Sequence, residues 1–158
     1  MEQKLSHFDD NGKAVMVDVS EKEITKRTAT AQGEISVCPE IMNAILKGTA
    51  KKGDVLGTAR IAGIMAVKRT PELIPLCHVL PLDKCGVSFS CNEKAGTVRA
   101  VCTVENHGRT GVEMEALTGA FAALLTIYDM CKAIDKRMVI GDVHLIEKTG
   151  GKSGDFRF

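Results

Sequence analysis

Apolar and polar side chains alternate along residues 28–37 of the chain. Ala29, Ala31 and Ile35 occupy one set of alternate positions, and Gly33 falls in the same set. Successive side chains of a strand point to opposite faces of a sheet, so this pattern predicts a half-buried β-strand.

Two helical patterns follow this strand. Pro39 suits the first turn of a helix that Gly48 would end, and Asp54 is a suitable N-cap for a second helix reaching about residue 69. Each interior glycine of the second helix costs about 1 kcal/mol relative to alanine. Small residues at these positions predict close packing against a sheet or against another subunit.

The rest of the chain predicts a loop, a hairpin, a helix and a strand. Three prolines after the second helix predict an irregular loop, and alternating segments on either side of residues 92–96 predict a β-hairpin. Thr110 and Glu113 have the spacing of a capping box, which predicts that the longest helix begins there and runs to about residue 136. Residues 139–148 are expected to form a final strand.

The predicted order is therefore strand, helix, helix, hairpin, helix, strand. It indicates an α+β fold, a ferredoxin-like sandwich with a four-stranded, mainly antiparallel sheet and helices packed on one face. Residues 1–16 show no periodic pattern and are expected to form a flexible N-terminal arm. Residues 17–158 are expected to form a single catalytic domain that ends in a short flexible tail.

Composition narrows the choice of partners. The 158 residues include 21 basic and 20 acidic side chains, a formal net charge of +1, with no Trp and one Tyr. This chain lacks the basic excess and the stacking aromatics of a nucleic-acid-binding protein. No apolar run approaches the length of a membrane span, and residues 1–11 are too polar for a signal peptide. The sequence predicts a cytoplasmic protein that binds neither nucleic acid nor membrane.

The six cysteines lie mostly in apolar or strand-like segments and include no C-x-x-C pair. Without an export signal, this pattern predicts reduced, buried thiols and no bound metal. A zinc site formed by Cys77, His78, Cys85 and Cys91 is an alternative, although its spacing matches no compact zinc motif.

Two segments carry candidate acid/base groups. Asp129 and Lys132 are three residues apart near the end of the longest helix and therefore share a helical face. A carboxylate beside an ammonium is a candidate acid/base pair, and a solvated surface ion pair is the alternative. His78 lies in the proline-stiffened loop, where a rigid backbone can aim an imidazole at a substrate. The alternative for His78 is a structural hydrogen bond to a backbone carbonyl.

Two segments resemble phosphate sites. Lys51 and Lys52 precede the second helix, where ammonium groups and helix N–H groups together suit a phosphate. Asp54 weakens this interpretation, because a carboxylate N-cap already occupies those donors. Residues 151–153 resemble the end of a P-loop, but Ile146 stands where that motif requires glycine, so they do not form a Walker motif.

Glu113 and Glu115 begin the longest helix. They would splay to different faces of a helix but share one face of an extended segment. Glu113 has a structural role available as the partner of Thr110, so Glu115 is the better functional candidate. Asp129 lies fourteen residues beyond Glu115, about 21 Å along a helix axis. A small substrate that needs both residues would therefore require two subunits.

Seven linked motifs occur in unbroken order between about residue 17 and residue 155: Val-Asp-Val-Ser (17–20), Lys-Gly-Asp (52–54), Thr-Ala-Arg-Ile-Ala-Gly (58–63), Leu-Ile-Pro-Leu-Cys-His (73–78), Thr-Gly-Val-Glu-Met-Glu-Ala-Leu-Thr (110–118), Thr-Ile-Tyr-Asp-Met-Cys-Lys-Ala (126–133) and Gly-Gly-Lys-Ser-Gly-Asp (150–155). In these motifs the chain resembles the MoaC family, the cyclic pyranopterin monophosphate synthases. The only departures lie in the N-terminal arm and in the hairpin turn.

The resemblance implies a lyase of molybdenum cofactor (molybdopterin) biosynthesis. Its substrate would be (8S)-3′,8-cyclo-7,8-dihydroguanosine 5′-triphosphate, and its products cyclic pyranopterin monophosphate and pyrophosphate. It also implies a homohexamer, a trimer of dimers with each site between subunits. By position, the family's catalytic residues fall on Asp129, Lys132, Lys52 and His78. Its substrate-binding residues fall on Leu76, Cys77, His78, Glu113, Met114, Glu115, Lys148, Arg27, Lys22 and Asp18.

No residue pattern requires a cofactor, although Mg²⁺ could arrive with the triphosphate. The rival from another class is a non-catalytic ferredoxin-like module that binds a small effector. A non-catalytic module would not explain the presence of four candidate site residues, His78, Asp129, Lys132 and Lys148. A third option, an RNA-binding sandwich, is disfavoured by the low aromatic content and the balanced charge.

Overall fold

The computed structural model describes residues 7–158, so part of the predicted N-terminal arm, residues 1–6, lies outside the described residues. Within the arm, residues 7–15 form a tight turn in which the Val15 N–H donates to the His7 carbonyl at 3.0 Å. The elements that follow are β1 (Thr25–Ser36), α1 (Pro39–Lys47), α2 (Val55–Val67), α3 (Thr70–Leu73), β2 (Lys84–Asn92), β3 (Thr97–Gly108), α4 (Glu113–Cys131), β4 (Val139–Thr149) and β5 (Phe156–Arg157).

The strands of the described chain form one open sheet in the order β2-β3-β1-β4-β5, and every neighbouring pair is antiparallel. The fold is the predicted α+β, ferredoxin-like arrangement, and β1–β4 are the four predicted strands. The fifth strand was not predicted, because its two residues are too few to show alternation.

β1 lies at the centre of the sheet and has the predicted alternation. Ala29, Ala31 and Ile35 are fully buried. At Gly33, a Cβ atom would lie only 2.8 Å from Leu124 Cδ1 of α4, so a larger residue there would push this side chain aside. The small residues of β1 therefore let α4 pack closely against the middle of the sheet.

Glycines also bring α2 and α4 together. A Cβ atom at Gly63 would lie 2.9 Å from the Gly119 carbonyl oxygen, and one at Gly119 would lie 2.6 Å from Val67 Cγ2. The helical cost of these glycines is offset by packing of the two helices at backbone distance. The predicted packing of the second helix on a sheet is confirmed, since a Cβ atom at Gly63 would also lie 3.0 Å from Val87 Cγ2 of β2, but its close packing on α4 was not predicted.

α4 is the core helix of the domain. By length and composition alone it is the one helix of the described chain that could cross a membrane. Ala116, Ala120, Leu124 and Ile127 on its inner face are fully buried, and this face packs against β1 and β3. That packing accounts for the apolar character of the helix within a globular domain.

The ends of α4 differ from the prediction. No side chain caps the helix, so the capping box predicted for Thr110 and Glu113 is wrong. Val112 occupies the N-cap position, and its fully buried side chain anchors the start of the helix in the core instead. The helix also ends at Cys131, its last buried residue, rather than near residue 136.

Candidate active site

The predicted catalytic carboxylate lies in a cluster at the C-terminal end of α4, which we call the Asp129 cluster and which comprises Lys52, Asp129 and Lys132. Lys132 Nζ lies 2.6 Å from Asp129 Oδ1, and Lys52 Nζ lies 3.0 Å from Asp129 Oδ2. Lys52 Nζ also donates to the Asp129 carbonyl oxygen at 3.1 Å. All three side chains are about half exposed, so the cluster is open to a ligand.

The two lysines set the charge state of this cluster. Hydrogen bonds from Lys132 first, and then from Lys52, lower the pKa of Asp129 below its ordinary value. The same pairing with Asp129 raises the pKa of Lys132. Near neutral pH, the cluster therefore holds an ionised Asp129 carboxylate beside a protonated Lys132, a proton acceptor next to a proton donor.

The N-terminus of α2 does not offer the open phosphate site considered for Lys51 and Lys52. Asp54 caps this helix by accepting the Gly57 N–H at 2.9 Å, as the sequence predicted. The Gly57 N–H is therefore occupied, and the Lys52 side chain extends to α4 instead. Its contribution to anion binding must come from its side chain in the Asp129 cluster.

Most predicted substrate-binding residues line a cavity of about 260 Å³ at the other end of α4. We call it the histidine cavity. Leu76, Cys77 and His78 enter from the loop after α3, residues 113–115 enter from the first turn of α4, and Lys22 enters from the segment before β1. Glu113 and Glu115 are both helical yet line the same cavity, because the cavity lies at the tip of the helix.

Glu115 is the most buried charged residue of this cavity, with 3% of its surface exposed. Burial, more than the neighbouring Glu113, raises the pKa of the Glu115 carboxyl. Burial likewise raises the pKa of the Cys77 thiol, with a further contribution from Glu115. Burial in this cavity therefore disfavours the charged forms of the Glu115 carboxyl and the Cys77 thiol.

A larger cavity of about 580 Å³ lies beside the histidine cavity and shares Lys22 with it. Asp18 and Arg27, both predicted site residues, line this second cavity. Asp18 accepts the Ser20 N–H at 2.9 Å, which lowers the pKa of its carboxyl, with a smaller contribution from His78. The structure thus brings Asp18, Lys22 and His78 into one region at the N-terminal end of α4.

Lys148 belongs neither to the Asp129 cluster nor to the lining of the cavities. It lies on β4 opposite Ala29 of β1, and its Nζ donates to Ser153 Oγ in the glycine-rich loop that follows. It lines neither of the two cavities. On one chain, the predicted site residues therefore do not form a single constellation.

Comparison with known proteins identifies the family of this chain. The MoaC family pattern matches residues 16–151. The chain belongs to the MoaC family. The cyclic pyranopterin monophosphate synthase of Clostridium botulinum (strain Alaska E43 / Type E3) is 58% identical over 99% of this chain and 98% of its own length. That of Pelobacter propionicus (strain DSM 2379 / NBRC 103807 / OttBd1) is 55% identical over 97% and 96%. That of Clostridium perfringens (strain 13 / Type A) is 53% identical over all of both chains.

Membership of the MoaC family confirms the family predicted from the linked motifs, which lie within or at the edge of the matched region. These relatives align with this chain over almost their full length, and each is named a cyclic pyranopterin monophosphate synthase. The similarity therefore extends over a whole synthase and is not limited to one part of it. The rival interpretation as a non-catalytic module is therefore disfavoured, because relatives of the same length are named as enzymes.

Sequence reasoning missed two basic lining residues of this MoaC chain. His7 lines the histidine cavity, and Lys152 lines the larger cavity beside Gly151. His7 lies in an arm without a periodic pattern, which gave no signal. Lys152 belongs to a recognised motif, but the comparison with a P-loop set that motif aside without assigning its lysine a task.

The zinc alternative does not fit this MoaC chain. Cys85 and Cys91 lie six residues apart on the extended strand β2, about 20 Å at about 3.3 Å per residue, which is too far for one ion. All six cysteines are free thiols, but the prediction that they are buried is correct only for Cys102 and Cys131. Among residues 7–158, no group of three or more His, Cys, Asp and Glu side chains could hold a metal ion.

Proposed function

We propose that this chain converts (8S)-3′,8-cyclo-7,8-dihydroguanosine 5′-triphosphate into cyclic pyranopterin monophosphate, with release of pyrophosphate, in molybdenum cofactor biosynthesis. The observation that carries the proposal is the Asp129 cluster, an ionised carboxylate held between two ammonium groups. The reaction must open a purine ring, close it again as a pterin and form a cyclic phosphate. Those steps need a proton acceptor and a proton donor at one place.

The other predicted site residues bind the ring system and the phosphates of the substrate. The histidine cavity, with His78, Glu115 and the rest of the first turn of α4, binds and orients the heterocycle. Lys52 and Lys148 stabilise the negative charge of the triphosphate and of the departing pyrophosphate. Residues 7–158 contain no group of side chains that could hold a metal ion, so in this proposal Mg²⁺ enters with the triphosphate as its counter-ion.

Each active site combines two chains. Glu115 lies in the first turn of α4, and Asp129 lies fourteen residues later on the same continuous helix. At about 1.5 Å per residue they are about 21 Å apart, so one chain does not offer both to a small substrate. A second copy that brings its Asp129 cluster to the histidine cavity of the first completes the site, in a homohexamer built as a trimer of dimers.

An apolar surface supports such association. Ile61 and Met65 of α2 and Phe121 and Leu125 of α4 are each exposed by at least 44% of their surface, although both helices are apolar on their inner faces as well. Large exposed apolar side chains on adjacent helices are typical of a surface that meets another subunit. Such an oligomer is expected to be cytoplasmic, as the sequence predicted.

The direct test is turnover of the purified cyclic triphosphate by the purified chain, with pterin product and pyrophosphate measured together. Stoichiometric formation of both is expected. Tight binding of the triphosphate without any turnover would instead favour the non-catalytic module and would refute the proposed reaction.

Lys52→Ala is expected to weaken binding of the triphosphate by about tenfold, because it removes one charge-assisted hydrogen bond. Lys52→Arg should lose less, since it keeps the charge but changes its reach. Calorimetric titration of both variants measures the difference. Lys51→Ala is the matched control, because Lys51 is exposed and is not part of the cluster. Equal affinities in all four proteins would remove Lys52 from the binding site.

A further inference from the structure

The glycine-rich loop after β4, residues 150–155, has a defined conformation. Gly150 donates its N–H to Asp155 Oδ1 at 3.1 Å, and Gly154 donates to the Gly151 carbonyl oxygen at 3.2 Å. Gly150 and Gly151 have φ angles of +84° and +83°, a region that L side chains rarely adopt. The conformation of this loop is therefore specified by its own residues.

Gly151 brings the backbone of this loop against Arg27. A Cβ atom at position 151 would lie 2.1 Å from Arg27 Nη1, so only glycine allows this approach. Arg27 Nε donates to the Gly108 carbonyl oxygen at 2.8 Å, which fixes the guanidinium. Within the described chain, no side chain or carbonyl accepts a hydrogen bond from its two terminal nitrogens, and Arg27 lines the larger cavity.

Lys152 follows Gly151 and lines the same cavity as Arg27 and Lys22. None of these three cations forms an ion pair with a carboxylate of residues 7–158. The cavity is large enough for a phosphate chain, since ligand cavities commonly measure about 300–1,000 Å³. Three cations that have no carboxylate partner among the described residues form a site that an anion would satisfy.

Three carboxylates, those of Asp18, Glu21 and Glu23, line this cavity as well. They balance the formal charge of the cations, so a general positive field does not attract the anion. Asp18 is already directed to the Ser20 N–H. Binding must instead depend on the placement of individual cations, which makes a single lysine testable.

We propose that Lys152 is a further substrate-binding residue, which together with Arg27 binds the phosphate chain of a substrate whose ring system occupies the histidine cavity. This inference rests on the proposed function. Lys22 lines both cavities, so a ligand that extends from its ring to its phosphates passes from one cavity into the other. Lysine and the forked guanidinium of arginine are the side chains that bind phosphate best.

The test is steady-state kinetics of Lys152→Ala, with Lys94→Ala as matched control. Lys94 is an exposed lysine of the turn between β2 and β3, outside both cavities. Lys152→Ala should raise KM for the triphosphate by about tenfold, the effect of one lost charge-assisted hydrogen bond, with a smaller change in kcat. Inhibition by inorganic pyrophosphate should weaken by a similar factor, and Lys152→Arg should restore part of both.

An unchanged KM and unchanged pyrophosphate inhibition in Lys152→Ala would overturn this role, as would an equal change in Lys94→Ala. A fall in kcat alone would also overturn it, because a ground-state phosphate contact acts on KM. If the parent protein shows no turnover, the proposed function fails. If the parent turns over and Lys152→Ala matches it, only the role of Lys152 fails.

Discussion

Asp129→Asn is expected to lower turnover by at least about a hundredfold, the usual contribution of a general acid or base. Asparagine keeps the shape of the side chain and can still accept a hydrogen bond from Lys132 or Lys52, but it cannot take up a proton. The side chain is about half exposed, so its replacement should leave the fold intact. Pre-steady-state product formation, with circular dichroism as a check on folding, measures both effects.

Asp135→Asn is the matched control for this variant. Asp135 lies just after α4 and binds the Arg137 guanidinium at 2.9 Å, outside the Asp129 cluster. The same loss of one negative charge near the same end of the helix should leave turnover nearly unchanged. Near-normal turnover by folded Asp129→Asn would remove Asp129 from the chemistry.

The pH dependence follows from the direction of the shift. Because Lys132 and Lys52 lower the pKa of Asp129 in the folded protein, its carboxylate stays ionised until the pH falls below the ordinary aspartate range. The stabilisation that these ion pairs contribute is therefore fully present above the pKa that Asp129 has in the unfolded protein. It is lost as the pH falls through the lower pKa that Asp129 has in the folded protein. If Asp129 acts as a base, the activity should fall on acidification only at a pH below the ordinary pKa of an aspartate.

Local patterns predicted the elements on which the site depends. The alternation around Ala31, the Asp54 cap and the spacing of Asp129 and Lys132 each express a rule that acts over a few residues, and all three occur in the structure. The predicted capping box does not form, because the Glu113 side chain has a different position. The Glu113 carboxylate lies against Gly111, where a Cβ atom would be 2.0 Å away, and lines the histidine cavity.

Rules that act over a few residues do not predict contacts between segments that are far apart in the sequence. Lys52 and Asp129 are 77 residues apart in the sequence, and nothing local in either segment indicates the other. The approach of Gly151 to Arg27 is of the same kind, because it depends on antiparallel pairing of β1 with β4. The family resemblance named many of these residues, but only the fold shows which of them share a cavity.

The arrangement at the two ends of α4 leads to a complementation experiment between inactive variants. Glu115→Gln and Asp129→Asn should each be inactive alone, yet should recover activity when refolded together into mixed oligomers. In a mixed pair, one site combines the intact Glu115 of one chain with the intact Asp129 of the other, and the second site carries both defects. Equal mixing of a two-fold interface should therefore restore up to about a quarter of wild-type sites.

The alternative, a site formed within one chain, makes the opposite prediction. Every site would then keep one defect, and mixing would restore nothing. A mixture of Asp129→Asn with Lys132→Gln is the internal control, because both residues belong to the same cluster on one chain and should never complement. Recovery in the first mixture and none in the second would assign Glu115 and Asp129 to different chains of one site. No recovery in verified mixed oligomers would mean that the histidine cavity and the Asp129 cluster do not act on the same substrate molecule.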